Sequence, residues 1–280
     1  MQPDADALYL SDLDGTLLGA TAELSTYTVE TLNALIRRGL PFSIATARTA
    51  ASVARVLAPL EISIPVVLMN GAQVYDLKTG HYLHTEYLPR PVVTEIAGIL
   101  QTRGITGFMY GLENDTMSTY YESLESESLR TFHQERVVKY GKTFTHVETF
   151  SSHADQGVLY FVMRDRWERL APVHDALLCV PGLAMSFYPD IYTGDLWYLE
   201  VFSDRVSKGH AAEYLRNRLG FGRLVGFGDN LNDLSLFEVC DEAYAVSNAQ
   251  SELADLATAQ IGSNIEDGVA HWLDARFKET

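Results

Sequence analysis

Near its start the chain repeats one pattern: a short apolar run, then a polar residue, then a helix-like segment. Ala7-Leu8-Tyr9-Leu10 leads into Ser11-Asp12, Phe42-Ser43-Ile44-Ala45 into Thr46, and Val66-Val67-Leu68-Met69 into Asn70-Gly71. Short apolar runs without alternation suit strands covered on both faces, as in a parallel sheet. Between them Val29, Leu32 and Ile36 fall on one helical face, with Ser25 as N-cap and Gly39 as stop. The pattern returns late in the chain. Ser207 caps a helix that runs to Leu219 and stops at Gly220, and the apolar runs Leu224–Phe227 and Ala243–Val246 follow. Alternating strands and helices predict an α/β fold with a doubly wound, Rossmann-like parallel sheet, whose ligands sit at the carboxyl ends of the strands.

The middle reads differently. Helices are expected over residues 91–102, 124–132 and 166–178, among strands at 106–110, 116–121, 158–163, 183–188 and 196–202. Adjacent strand pairs point to an antiparallel sheet with helices on one face, an inserted α+β cap domain. The expected division is therefore core 1–82, cap 83–202 and core 203–280.

A net charge of −16 argues against nucleic acid or an anionic membrane as partner, so an anionic substrate needs a locally positive pocket or a metal. Only Cys179 and Cys240 are present, which excludes a disulfide framework and suits a reducing compartment. No apolar run approaches the ~20 residues of a membrane span. The acidic N-terminus lacks the basic start and apolar stretch of a signal peptide, so the expected location is cytoplasmic. Without secretion, the sequon Asn114-Asp115-Thr116 carries no weight. No protein partner is implied, and His81, His84 and His133 show no metal-ligand pairing.

The chemistry-bearing segments follow two of the apolar runs. In Asp12-Leu13-Asp14-Gly15-Thr16-Leu17 two carboxylates share a tight loop, which destabilises both unless a cation is present. Gly228-Asp229-Asn230-Leu231-Asn232-Asp233 follows the second run, and parallel topology brings Asp229 and Asp233 beside Asp12 and Asp14. Four converging acids make an oxygen-rich site that suits Mg²⁺ rather than zinc. A calcium loop fits Asp12, Asp14 and Glu23, but Leu17 occupies its required glycine position. A dinucleotide fingerprint begins at Gly226-Phe227-Gly228 and fails at Leu231.

These motifs resemble the haloacid dehalogenase superfamily, in particular its Cof-type phosphatases with a large α/β cap. The resemblance also covers Ile44-Ala-Thr46-Ala-Arg48, Asn70-Gly71, Val206-Ser-Lys208-Gly209 and Ser263-Asn264-Ile-Glu-Asp267-Gly268. It implies Asp12 as nucleophile, forming an aspartyl-phosphate, and Asp14 as the acid that protonates the leaving oxygen and then activates water. It gives Thr46 and Lys208 the phosphoryl oxygens, and places Arg48 and Asn232 near phosphate or substrate. Mg²⁺ would be held by the Asp12 carboxylate, the Asp14 backbone carbonyl and the Asp229 carboxylate, with Asp233 in support. The implied substrate is a small phosphorylated metabolite, a sugar phosphate or a phosphorylated cofactor. Ala47 and Leu236 replace the glycine and methionine usual in the family.

Each residue also has a plainer reading. Lys208 could be a solvated lysine, although the helix dipole disfavours a cation there. Thr46 could only cap a helix, Arg48 could lie on the surface, and Asn264 and Asp267 read as turn residues. The five acids between Glu113 and Leu129 read as a hydrated face. The competing functions are a phosphomutase of the same fold and a non-catalytic ligand-binding sensor. The intact set Asp12, Asp14, Lys208 and Asp229 weighs against the sensor.

Overall fold

The computed structural model describes residues 6–140, 142–190 and 195–278. The chain divides into two compact units, Met1–Thr85 with Val206–Thr280, and Glu86–Arg205. In the first segment β1 (Ala7–Ser11) leads to α1 (Thr26–Arg37), β2 (Phe42–Ile44), α2 (Ala50–Leu57) and β3 (Val66–Leu68). β4 (Gln73–Asp76) and β5 (His81–Thr85) then form an antiparallel sheet with β3. The pairing of β5 with β4 carries this segment past the residue-82 limit read from the sequence.

The second unit contains α3 (Arg90–Thr102), β6 (Phe108–Glu113), β7 (Thr116–Tyr121), α4 (Glu127–Tyr140) and β8 (Thr145–His146). β9 (Val158–Asp165), α5 (Trp167–Leu177), β10 (Leu183–Pro189) and β11 (Trp197–Ser203) complete it. The chain returns to the first unit through α6 (Lys208–Leu219), β12 (Arg223–Gly228) and α7 (Leu234–Val239). β13 (Glu242–Val246), α8 (Ser251–Ala254), β14 (Ala259–Ile261) and α9 (Gly268–Phe277) end it.

The main sheet of the first unit has the order β14-β13-β12-β1-β2, and every pair in it is parallel. β1 is buried along its whole length. Ala7 and Tyr9 share one core with Leu32 and Leu35 of α1 and Leu273 and Phe277 of α9. Leu8 and Leu10 share the other with Ala212 and Leu215 of α6 and Leu236 of α7. Successive strand residues point to opposite faces, so an unbroken apolar run demands helices on both. Winding goes outward from β1 to β2 on one side and from β12 to β14 on the other. The order therefore reverses between β1 and β12, the position at which open α/β sheets generally bind ligands at their strand ends.

The second unit is built on a six-stranded sheet, β10-β11-β9-β6-β7-β8, antiparallel except for the β7–β8 pair. Asn114 and Asp115, both left-handed, make the two-residue turn between β6 and β7, the conformation a type I′ hairpin needs. α3 and α5 cover one face, over Met109, Phe161 and Val201. The sequence reading put all helices on that side. Instead Leu129 and Phe132 of α4 cover Phe108, Tyr110 and Val162 on the opposite face, because both faces of these central strands carry apolar side chains. In the acidic stretch Glu113, Asp115, Glu125 and Glu127 are exposed, whereas Glu122 accepts a hydrogen bond from the Phe150 amide (2.6 Å).

Candidate active site

Asp12 is the residue after β1 and Asp229 the residue after β12, so both carboxylates stand at the reversal of strand order. Asp233 arrives from the turn Leu231–Asp233. One carboxylate oxygen from each of the three lies within 4.8 Å of the others. Asp12 and Asp233 are buried. Asp233 Oδ2 accepts from the amides of Asp229 (3.0 Å) and Asn230 (3.1 Å), which fixes the turn. Thr16 Oγ1 donates to Asp229 Oδ1 at 2.8 Å. Gly15 has φ +83°, and a Cβ there would meet Asp229 Oδ2 at 2.4 Å. The loop thus needs glycine twice over, for its left-handed backbone and for the close approach.

Lys208 is the first residue of α6, capped by Ser207, and its side chain is fully buried. Its Nζ donates to Asp12 Oδ1 (2.5 Å) and Asp233 Oδ1 (2.6 Å). A buried cation at a helix N-terminus is doubly disfavoured, so these acids are what hold it there. Burial works to lower the Lys208 ammonium, but Asp12 and Asp233 outweigh it and hold it above its ordinary value. One ammonium cannot neutralise three carboxylates. Burial pushes Asp12 up to about 7, with Lys208 opposing and Asp233 and Asp229 adding to the rise. Asp229 is raised as well, by burial first, against the Thr16 hydrogen bond. A buried cluster of hard oxygen donors with a surplus of negative charge fits a divalent cation such as Mg²⁺.

The fourth expected acid stands apart. Among the described residues the cluster is Asp12, Asp229 and Asp233, and the Asp14 carboxylate is half exposed. It binds Arg48 through two hydrogen bonds, Nε to Oδ2 at 2.7 Å and Nη2 to Oδ1 at 2.6 Å. Arg48 offers a planar fork that a carboxylate matches, whereas the cluster offers Asp14 only like charge. Arg48 is therefore engaged with an acid rather than loose on the surface. Thr46, buried just past β2, accepts from the Arg48 amide at 3.2 Å and so shapes this loop. Asn232 donates through Nδ2 to Asn70 Oδ1 at 3.0 Å.

Three supporting residues escaped the sequence reading as functional groups: Thr16, Asn248 and Asn264. Asn248 donates to the Gly15 carbonyl (2.8 Å) and accepts from the Asn264 amide (3.0 Å). Asn264 in turn donates to the Leu18 carbonyl at 2.8 Å. The two asparagines pin the Asp12–Leu18 loop from outside. Asn248 had one signal, its position just beyond the carboxyl end of β13.

Residues 9–273 match the haloacid dehalogenase-like hydrolases. The chain belongs to this family. Hydrolysis of phosphoric monoesters, the chemistry of its Cof-like phosphatases, is what the family and its relatives support. Phosphatase YwpJ of Bacillus subtilis is 26% identical over 289 residues, covering 94% of this chain and 96% of the relative. Pyridoxal phosphate phosphatase YbhA of Escherichia coli is 25% identical over 270 residues, covering 94% and 95%. The crystal structure of TM0651 from Thermotoga maritima, 23% identical, superposes with a TM-score of 0.78 over 98% of both chains and shares the fold. No helix of this hydrolase, among the described residues, is long and apolar enough to cross a membrane.

Proposed function

We propose that this hydrolase is a Mg²⁺-dependent phosphatase of small phosphorylated metabolites that works through an aspartyl-phosphate on Asp12, in the cytoplasm. The observation that carries this reading is the convergence of Asp12, Asp229 and Asp233 on buried Lys208 at the reversal of strand order. An Asp12 oxygen attacks phosphorus, the ester P–O bond breaks, and Asp14 delivers a proton to the departing alcohol oxygen. Water then attacks the phosphorus of the aspartyl-phosphate while Asp14 takes its proton, releasing phosphate and restoring Asp12. Lys208 and Thr46 hold the phosphoryl oxygens, and Arg48 must leave Asp14 for that carboxyl to act, which frees its guanidinium for the substrate. Mg²⁺ on the Asp12 and Asp229 carboxylates and the Asp14 carbonyl, with Asp233 in support, would neutralise phosphoryl charge.

The large second unit and the charge of −16 favour a small ester over a phosphoprotein or nucleic acid. Sugar phosphates and phosphorylated cofactors are the leading classes, the latter supported by YbhA's named activity. Asp12→Asn should abolish turnover with the fold intact, and retention of more than about a tenth of kcat would remove Asp12 as nucleophile. EDTA should abolish activity, with Mg²⁺ restoring it better than Ca²⁺. Comparison of kcat/KM for hexose and pentose phosphates, pyridoxal phosphate, flavin mononucleotide and a phosphopeptide tests the substrate class. A tenfold win for the phosphopeptide would refute it.

A further inference from the structure

We propose that Asn70 and Asn232 act as one amide pair that receives the phosphoryl oxygens of the substrate, with Asn70 as a substrate-binding residue. The inference rests on the phosphatase reading and adds a residue to it. Asn70 sits at φ 54°, ψ 28°, directly after Met69 at φ 50°. Two successive left-handed residues that are not glycine are strained, and such strain persists only where the surroundings impose it. Here they do. The Asn70 amide donates to the Thr46 carbonyl (3.0 Å) and the Met69 amide to the Arg48 carbonyl (3.1 Å). Gly71, at φ +102°, lies so close to Ser207 that a Cβ would come within 2.0 Å of its carbonyl oxygen. One short turn is thereby locked against the loops that carry Thr46 and Lys208.

The side chain of Asn70 reaches the third loop, accepting the Asn232 amide at 3.0 Å. That bond uses the Asn70 oxygen and one Asn232 hydrogen. Both hydrogens of Asn70 Nδ2 and the second hydrogen of Asn232 remain, with no protein partner among the described residues. What the pair offers is therefore N–H donors, which select a ligand rich in acceptors, such as a phosphoryl group. Neutral donors also suit a site crowded with carboxylates, where a further cation would pair with an acid, as Arg48 does with Asp14.

The experiment uses the full chain in Mg²⁺, with inorganic phosphate as probe and its Kd read by calorimetry. Asn70→Gly keeps the left-handed backbone and removes only the amide, so it should weaken phosphate at least fivefold with little change in Tm. Asn232→Ala, at an exposed position, should do the same without disturbing the turn. The double variant should be no more than about twofold weaker than the poorer single, because each amide works through the other. A Kd for Asn70→Gly within twofold of wild type overturns the proposal and leaves Asn70 a backbone role only. Losses that multiply in the double variant overturn the pairing. Failure of the wild type to bind phosphate would instead bring down the phosphatase reading, and this inference with it.

Discussion

Replacing Asp12 by Asn should stabilise the metal-free protein while destroying its activity. In the folded chain Asp12 is pushed from an ordinary 3.8 up to about 7, by burial first and by Asp233 and Asp229 in addition. The native state therefore holds a proton that the unfolded chain releases, and stability declines as pH rises from about 4 to about 7. At about 1.4 kcal/mol per tenfold change in proton affinity, the penalty relative to a neutral side chain reaches about 4 kcal/mol at pH 8 and about 2 kcal/mol at pH 5. Asparagine of nearly the same shape escapes it and can still accept from Lys208, though a neutral acceptor is the weaker partner. Urea unfolding in EDTA should thus find Asp12→Asn more stable by about 1–3 kcal/mol at pH 8, with the advantage shrinking at pH 5. Adding Mg²⁺ at about a hundred times its Kd should return about 2.7 kcal/mol to the wild type and less to the variant. A variant less stable than wild type at pH 8 in EDTA, or an advantage independent of pH, would refute the electrostatic account.

Three further outcomes follow from contacts around the same site. Thr16→Val deletes the hydroxyl that orients Asp229 and should weaken Mg²⁺ about tenfold by calorimetry; a Kd within twofold of wild type would make that bond incidental. Gly71→Ala forces a methyl to within 2.0 Å of the Ser207 carbonyl at φ +102° and should cost more than about 3 kcal/mol in urea unfolding. A loss below about 1 kcal/mol would show that the loop yields. Ser207→Ala removes the acceptor for the His210 amide and should cost about 1 kcal/mol, with no loss meaning that Lys208 alone secures this helix end.

The core strands were legible because burial on both faces leaves a mark no polar sequence can imitate: Ala7–Leu10 and Leu224–Phe227 are both strands of the parallel sheet. Ser25, Ser207 and Gly220 announced helix ends through their own local chemistry and sit at them. β5 is partly exposed and β14 mostly exposed, and both carry too few apolar residues to stand out. The helix α4 was legible as a helix but not as to side, because that choice belongs to the sheet, whose second apolar face recruits it. The acids at the ends of β1 and β12 could be placed together from topology alone, and three of them are. Asp14 could not, because its partner Arg48 comes from a different loop, and pairing across loops leaves no spacing to read. Asn248 showed only its place beyond the end of β13, because its partners Gly15 and Asn264 likewise come from other loops.

The departures from local preference are not scattered. Asn114 and Asp115 are left-handed because a tight hairpin requires it, and no chemistry need be sought there. Met69 and Asn70 lie in the longer, four-residue connection between the antiparallel strands β3 and β4, and there the loop is held by the Thr46 and Arg48 carbonyls and by the contact of Gly71 with Ser207. The same small region holds a lysine at the wrong end of a helix dipole, a carboxylate lifted by burial and a glycine pressed against Asp229. Each of these lowers stability on its own, and none relieves another except where Lys208 meets its acids. The buried faces of β1 and β12 supply the compensation. A chain selected for stability alone would discard these features one at a time, so their concentration at a single reversal of strand order is itself an argument that the site is used.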